Sequence, residues 1–370
     1  MASTGIETAA GQYLSLPLEK VIYGAGALSA LPEEARRLGG RRALILTGQS
    51  LATRTPHVAE AEALLGELHA GTFAGIRQHA PESGIAAALE LARRARADLL
   101  VSLGGGSPID AAKALARSLA EEGDALLPHI AIPTTLSAAE FSHIAGYTDE
   151  SRKAKTGFRD PRVTPRVVIL DPALTLDTPE WLWLSSGIRS LDHAVETLYS
   201  PGFHPVSETL ALQAIRDLFA CLPRTRENPA DLQARLRCQL AAWMSFFAPL
   251  SVPMGLSHRI GRSLGASYDI PHGYTSCIIL PQVMRYQAAA HAPELARMAQ
   301  ALNLPSGGVS DAGAALQAAD AVAGLVRRLG LLSRLRDVGV PQEDFEKIAL
   351  EVGEQFAPAE RVIEILRQAW

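Results

Sequence analysis

Asp98-Leu99-Leu100-Val101-Ser102-Leu103-Gly104-Gly105-Gly106-Ser107-Pro108-Ile109-Asp110 passes from an apolar run, through three glycines, into an alanine-rich segment. Asp98 to Leu103 reads as a buried strand, and Ile109 to Leu119 as a helix. The glycines permit positive φ and let a phosphate approach main-chain amides. Ser107 suits the N-cap and Pro108 the first helical position, while Asp110, three residues after Ser107, approaches a capping box. Free N–H groups at such a helix start suit a pyrophosphate. The pattern departs from G-x-G-x-x-G, so the common dinucleotide fingerprint does not match, and a purely structural strand–helix turn is the alternative.

Around this turn the first half alternates strands and helices. Arg42 to Thr47, Thr72 to Ile76, His129 to Pro133 and Arg166 to Leu170 read as further strands, with helices at Pro56 to Leu68 and Ser83 to Arg96. That alternation predicts a parallel sheet covered on both faces, with ligands bound beyond the carboxyl ends of its strands. Pro133-Thr134-Thr135-Leu136-Ser137 follows such a strand, so its hydroxyls fall at the same edge as the glycine turn. Ordinary loop and cap chemistry is the competing reading for them. From about Pro179 the β signal fades. Ser207 to Phe219, Ala230 to Met244, Glu294 to Leu302, Ala312 to Leu329 and Glu343 to Glu354 carry helical periodicity. The expectation is an α/β domain over residues 1–178 and an all-helical domain over 179–370, with the active site in the cleft between them.

Composition narrows the class. The chain has 370 residues, 35 basic and 39 acidic, for a net charge of −4, and the charges are interspersed. No basic stripe for nucleic acid or polybasic membrane patch emerges. Cys221, Cys238 and Cys277 are an odd set without metal-type spacing, which predicts reduced thiols. Met1 to Gly11 lacks the features of a signal peptide, and no apolar run reaches the ~18 residues of a membrane span. A cytoplasmic enzyme is expected.

Two segments of the second half pair histidine with arginine. Arg189 and His193 are four apart in Gly187 to Glu196, and His258 and Arg262 are four apart in Gly255 to Arg262. His272 follows, in Pro271-His272-Gly273. Three imidazoles from separate elements suit a metal, but a guanidinium beside them repels one and grips carboxylates or oxyanions instead. A plainer alternative pairs Arg189 with Asp192 or Glu196 along its own helix. The other histidines weighed, His57, His129, His143, His204 and His291, show no comparable context.

The ordered set Gly104 to Asp110, Pro133-Thr134-Thr135, Gly187 to Glu196 and Gly255 to Gly273 resembles the iron-containing alcohol dehydrogenase family, and most of all its maleylacetate reductase branch. The likeness runs from Tyr23-Gly24-Ala25-Gly26 to the helical end. It implies a dehydroquinate synthase-like fold, an NAD or NADP cofactor and catalysis in the cleft. It also implies cofactor contacts at Gly48, Gly105, Gly106, Ser107, Asp110, Thr134, Thr135, Ser137 and Lys155. In metal-dependent members, one aspartate and three histidines hold the ion. By position the histidines fall on His193, His258 and His272, but the aspartate falls on Arg189. A further family histidine near the nicotinamide falls on Arg262. Maleylacetate reductases share the loss of that aspartate and act on a carboxylated substrate.

The leading expectation is therefore an NAD(P)H-dependent reductase of a small anionic keto or unsaturated acid, without a bound metal. Arg189, Arg262 and Arg259 are the candidate anion holders, and His193, His258 and His272 the candidate proton donors. The alternatives are a non-redox lyase, isomerase or cyclase on the same fold, or a conventional metal-dependent alcohol dehydrogenase. After the second strand, Leu46-Thr47-Gly48-Gln49-Ser50 carries no acid to repel a 2′-phosphate, and Arg54 follows, so NADPH is expected to serve at least as well as NADH. Family analogy adds a homodimer or larger assembly.

Overall fold

The computed structural model describes residues 13–370 except 124, 153, 202, 203 and 306. The reading of Met1 to Gly11 thus lies outside the described residues. Strands β1 (Lys20–Tyr23), β2 (Ala43–Leu46), β3 (His69–Phe73), β4 (Leu99–Gly104), β5 (His129–Pro133) and β8 (Val167–Leu170) form one parallel sheet in the order β1-β8-β5-β4-β2-β3. The four inner strands are buried at every residue, while β1 and β3 at the edges are only partly covered.

Alternation along the strands supplies both faces. Ile45, Val101 and Leu103 pack with Leu31 and Ala35 of α1 (Leu31–Arg37) and Ala61 and Leu65 of α3 (His57–Leu65), beside the short α2 (Gln49–Arg54). Leu44, Leu46 and Leu100 pack with Ile85 and Ala88 of α4 (Glu82–Ala95) and Ala111 and Leu115 of α5 (Gly106–Glu121). Burying each such leucine contributes roughly 1.5–3 kcal/mol.

Strand β1 and helix α1 have no counterpart in the sequence reading, and three further features differ from it. The strand expected at Thr72 to Ile76 lies at His69–Phe73, because it is an edge strand whose half-covered side chains fix register weakly. The helix expected from Pro56 to Leu68 ends at Leu65, where a short 3₁₀ turn takes over. An antiparallel hairpin of β6 (Ile144–Asp149) and β7 (Ala154–Arg159) has no counterpart in the sequence reading.

The helical half comprises α6 (Glu180–Leu198), α7 (Pro205–Glu227), α8 (Leu232–Ser245), α9 (Leu256–Ser267), α10 (His272–Gln287), α11 (Ala292–Ala301), α12 (Asp311–Arg328), α13 (Phe345–Val352) and α14 (Ala359–Ala369). Two apolar cores organise it, one around α6, α7, α10 and α12, the other joining α9 and α10 to α13 and α14. Cys221, Cys238 and Cys277 are buried free thiols. No helix among the described residues is long and apolar enough to cross a membrane.

The two halves dock through α6 and the loop after β5. Leu136 N–H donates to Ser186 Oγ at 3.0 Å, and Thr178 Oγ1 donates to the Thr134 carbonyl at 2.8 Å. The carboxyl edge of the sheet thereby faces α6, α9 and the start of α10.

Candidate active site

The sheet side of the cleft is built from main chain. β4 ends at Gly104, whose φ of +141° few side chains tolerate. α5 then starts two residues earlier than a cap at Ser107 implies. Gly105, not Ser107, is the N-cap, and no side chain caps the helix. Ser107 is instead turned outward to accept a bond from His79 N–H at 3.0 Å. Pro108, third in the helix, sits where an N–H has no partner to lose. The first amides of α5 therefore face the cleft without a side-chain cap. Thr135 and Ser137 close in on them: a Cβ at Gly105 would lie 3.1 Å from Thr135 Cγ2, and one at Gly106 would lie 3.2 Å from Ser137 Oγ.

Thr134 N–H donates to the Gly104 carbonyl at 2.8 Å, which pins this loop to the turn. Gly48 caps α2 at the end of the neighbouring strand β2. An uncapped helix start, ringed by glycines and small hydroxyls, fits a dinucleotide pyrophosphate. Asp110 points elsewhere. Its carboxylate accepts from Gly146 N–H at 3.2 Å and anchors the hairpin. Lys155, on β7 of that hairpin, reaches into the cleft 3.5 Å from His79 Nε2. Desolvation, and to a lesser degree the Arg189 charge, lower its pKa to about 8, although Asp269 opposes them.

The helical side is built from buried ions. Arg189, Asp192, His193 and Glu196 share one face of α6 at helical spacing. Arg189 Nη1 donates to Ser276 Oγ at 3.2 Å and lies 3.8 Å from Asp192 Oδ2. Asp192, fully buried, accepts from Ser257 Oγ at 2.9 Å and Ser276 Oγ at 2.6 Å. Glu196 crosses to the start of α9 and caps it, accepting from Gly255 N–H and Ser257 N–H at 2.7 Å each. A Cβ at Gly255 would sit 2.8 Å from Glu196 Oε1, so only glycine allows this approach. His258 Nδ1 pairs with Glu196 Oε2 at 2.6 Å, with a single proton between them.

That pairing leaves His258 Nε2 without a partner. His193 stacks on His258 with ring centroids 4.8 Å apart and meets Phe246 at 4.6 Å. These rings, with Val252 and Met254, line a cavity of about 20 Å³, room for one water.

Charge is concentrated here. Desolvation lowers the pKa values of His193 and His258, and the Arg189 charge lowers them further, so both rings are neutral near pH 7. The His272 ring is open to the cleft, but enough protein surrounds it to disfavour its cation. Arg189, Lys155, His79 and His258 add to that effect. Burial raises Glu196 to about 7 against the pull of its N–H donors and Arg189. Two site expectations change. Arg259, expected to hold an anion, donates to the carbonyls of Val352 and Glu351 at 3.0 Å each and lies over the Phe356 ring. Arg262, one turn beyond His258, is exposed.

Asp192 and Glu196 entered the sequence reading only as helix partners for Arg189, and His79 did not enter it. The spacing i, i+3, i+7 from Arg189 was the available signal for the two carboxylates. His79 gave none, because a turn alone brings it to the cleft.

A profile described as iron-containing alcohol dehydrogenase matches residues 18–172, and one described as the C-terminal part of the Fe-containing alcohol dehydrogenase family matches 183–368. The chain belongs to the iron-containing alcohol dehydrogenase family. Within it, the chain sides with the maleylacetate reductases. It is 39% identical to maleylacetate reductase 2 of Cupriavidus pinatubonensis, over 81% of this chain and 80% of that one. It is 37% identical to the maleylacetate reductase of Burkholderia cepacia, over 90% and 88%. The crystal structure of maleylacetate reductase from Agrobacterium tumefaciens superposes with a TM-score of 0.85 at 31% identity, covering 98% of each chain. The protein is thus an NAD(P)-dependent oxidoreductase, and the family resemblance of its motifs holds along the chain.

Against the family's metal site the residues fit poorly. Arg189, where the resemblance leads one to expect the aspartate, is a cation whose charge reaches all three histidines. Among the described residues, one group brings three candidate ligand atoms within 4.8 Å of one another: Asp192, Glu196 and His258. Three of its four carboxylate oxygens already accept hydrogen bonds from the chain, leaving only Asp192 Oδ1 without one. The group is hydrogen-bonded into place and is not an open cage.

Proposed function

We propose that this protein reduces maleylacetate or a closely similar unsaturated keto dicarboxylate with NAD(P)H, and does so without a metal ion. The observation that carries this reading is Arg189, a part-buried cation 3.8 Å from Asp192, at the position where the family resemblance puts the metal-binding aspartate. The names of the relatives favour reduction over the non-redox alternative. We further propose residues 1–178 as the cofactor-binding unit and 179–370 as the unit holding the substrate groups.

The uncapped start of α5, with Gly105, Gly106, Ser107, Thr134, Thr135 and Ser137, would hold the pyrophosphate, with Gly48 under the adenosine end. When bound, the nicotinamide supplies the hydride, which adds to the alkene carbon β to the ketone as the carbon–carbon π bond breaks. Charge then develops on the ketone oxygen as an enolate, and Arg189 is the fixed cation for it. One such preorganised donor is worth roughly 10²–10³ in rate. A proton completes the adjacent carbon. Arginine is a poor proton donor, so the proton would come from His272 or from His258 Nε2, the latter in the form in which Glu196 is protonated and donates to His258 Nδ1, its proton passing to Nδ1 as Nε2 releases its own. Arg262, exposed one turn beyond His258, is the remaining candidate for a carboxylate.

Oxidation of NADH and of NADPH, followed with maleylacetate and with simple aldehydes, tests this reading together with elemental analysis and chelation. The expected outcome is at least about 100-fold preference for maleylacetate in kcat/KM, NADPH accepted at least as well as NADH, and activity that survives chelation. A stoichiometric metal whose removal abolishes turnover would hand the reading to the metal-dependent dehydrogenase.

A further inference from the structure

A second polar corner of the cleft lies apart from the Arg189 cluster, and its backbone is strained. His79 and Ala80 both have positive φ, 63° and 44°, although neither is glycine. Across the cleft Asp269, just beyond α9, has φ 53°. Six described non-glycine residues adopt such angles, and three of them meet here. Strain of this kind persists only where the surroundings impose it, and it gathers at sites with a task. The surroundings are visible: His79 N–H donates to Ser107 Oγ of the glycine turn at 3.0 Å, and the His79 carbonyl accepts from Thr148 Oγ1 of β6 at 3.2 Å. The ring is thereby aimed at the opposite wall. It meets the His272 ring edge-on at 5.9 Å, and its Nε2 lies 3.5 Å from Lys155 Nζ.

The same Nε2 lies 3.1 Å from Asp269 Oδ1, a side chain that is 86% exposed. A carboxylate at the mouth of the cleft thus rests against the His79 imidazole and beside an ammonium, with the Gln78 side-chain amide 3.2 Å from the same Nε2. The imidazole and the ammonium are half-buried, whereas the carboxylate is exposed to solvent. The arrangement displays the chemistry the corner accepts. We propose that His79, with Lys155 beside it, is a specificity-determining residue that binds the second carboxylate of a dicarboxylate substrate, at the position Asp269 takes in this structure. This rests on the reductase reading above, and it gives the substrate anchors on opposite walls, His79 for a carboxylate and Arg189 for the ketone oxygen. A simple latch between the halves of the molecule would make the same His79–Asp269 contact but would not discriminate between substrates.

The test compares maleylacetate with 4-oxohex-2-enoate, which keeps the enone and one carboxylate but lacks the other. In His79→Asn, a residue that tolerates positive φ, KM for maleylacetate should rise about tenfold, the value of one hydrogen bond to a charged group. KM for 4-oxohex-2-enoate should stay within about twofold, and kcat for either compound should change less than KM for maleylacetate. Asp269→Asn should lower KM for maleylacetate by about two- to threefold, since it removes the competing carboxylate. Equal losses for both compounds in His79→Asn, or a higher KM for both in Asp269→Asn, would overturn the proposal in favour of a latch. If His79→Asn does not fold, His79→Gly serves in its place and reads the same ratio. If the unsubstituted protein oxidises NAD(P)H with neither compound, the reductase reading fails. Calorimetric binding of the two compounds then still reads whether His79 discriminates between them.

Discussion

Where the sheet meets the cleft, the polar groups are main-chain amides and neutral hydroxyls around Gly105, Gly106, Thr135 and Ser137. Where the helices meet it, they are ions, the buried Asp192 and Glu196 and the part-buried Arg189, tied to Ser257, His258 and Ser276. The first wall depends on size and on positive φ, so it fails where a side chain intrudes or where the backbone cannot keep its turn. The second depends on balance. Removing one member of a buried charged set typically costs about 3–5 kcal/mol, because its partners stay behind uncompensated. The walls should therefore fail differently when altered, one in cofactor affinity and the other in the chemical step.

The largest effect is expected at Arg189. Arg189→Met keeps the stem but removes the cation beside Asp192 and the three histidines. We expect kcat/KM for maleylacetate to fall by roughly 10²–10³, with the affinity for NADPH changed by less than about threefold. Steady-state kinetics and a fluorescence titration of the nucleotide read the two quantities separately. Parallel loss of both would erase the distinction between the walls.

Next comes Gly106. Its Cβ would stand 3.2 Å from Ser137 Oγ, and a branched side chain would crowd the amides at the start of α5. Gly106→Val should weaken NADPH binding by about 10- to 100-fold, equivalent to 1.4–2.8 kcal/mol. The circular dichroism spectrum should be unchanged. Unaltered nucleotide affinity would remove the glycine turn from the cofactor site.

The same contrast governs what the sequence made legible. Inner strands β2, β4, β5 and β8 bury every side chain, so their apolar runs stood out. Edge strand β1 reads Lys20-Val21-Ile22-Tyr23, exposed at both ends, and gave no comparable run. The β6–β7 hairpin, which carries Lys155, is similarly mixed, with only Ala145 of β6 fully covered. The glycine turn was legible because local backbone demands fix its residues. The start of α5 was misplaced by two residues because the serine that looks like its cap is used by His79, 28 positions away. Arg189 and the histidines were legible through spacing and family likeness. The bonds from Asp192 and Glu196 to Ser257, His258 and Ser276 span 59 or more residues, and periodicity within one helix carries no information about them. Left-handed turns at His79 and Asp269 lack the glycines that usually announce them.

The smallest effect concerns an exception to the contrast, buried ions lying beneath the sheet wall. Lys113 of α5 donates to the carbonyls of Ala139 and Ile144 at 2.6 and 2.8 Å, and lies 3.7 Å from Asp110. Beside it Glu140 is 1% exposed, and its Oε2 has no partner. Burial raises the Glu140 pKa to about 7, helped by Asp110 and opposed by its own N–H and by Lys113. An unfolded glutamate titrates near 4.5. Between the two values, the folded chain keeps a proton that the unfolded chain releases, so stability is full below about 4.5 and falls as pH rises through 7. The ceiling on this loss is about 3 kcal/mol, and the neighbouring Lys113 charge should hold it to about 1–2 kcal/mol. Glu140→Gln keeps the shape and cannot ionise. Thermal denaturation at pH 4 and pH 8 should show the unsubstituted protein losing about 1–3 °C that Glu140→Gln retains, while the two proteins nearly coincide at pH 4. Asp110, raised to about 6 by burial, titrates in the same window in both proteins, so their difference isolates Glu140. Equal slopes would mean that Glu140 is already ionised and matched by Lys113 near neutrality. The sheet wall would then rest on the same kind of balanced ion pair as the helical wall, and the contrast between them would be confined to the surface of the cleft.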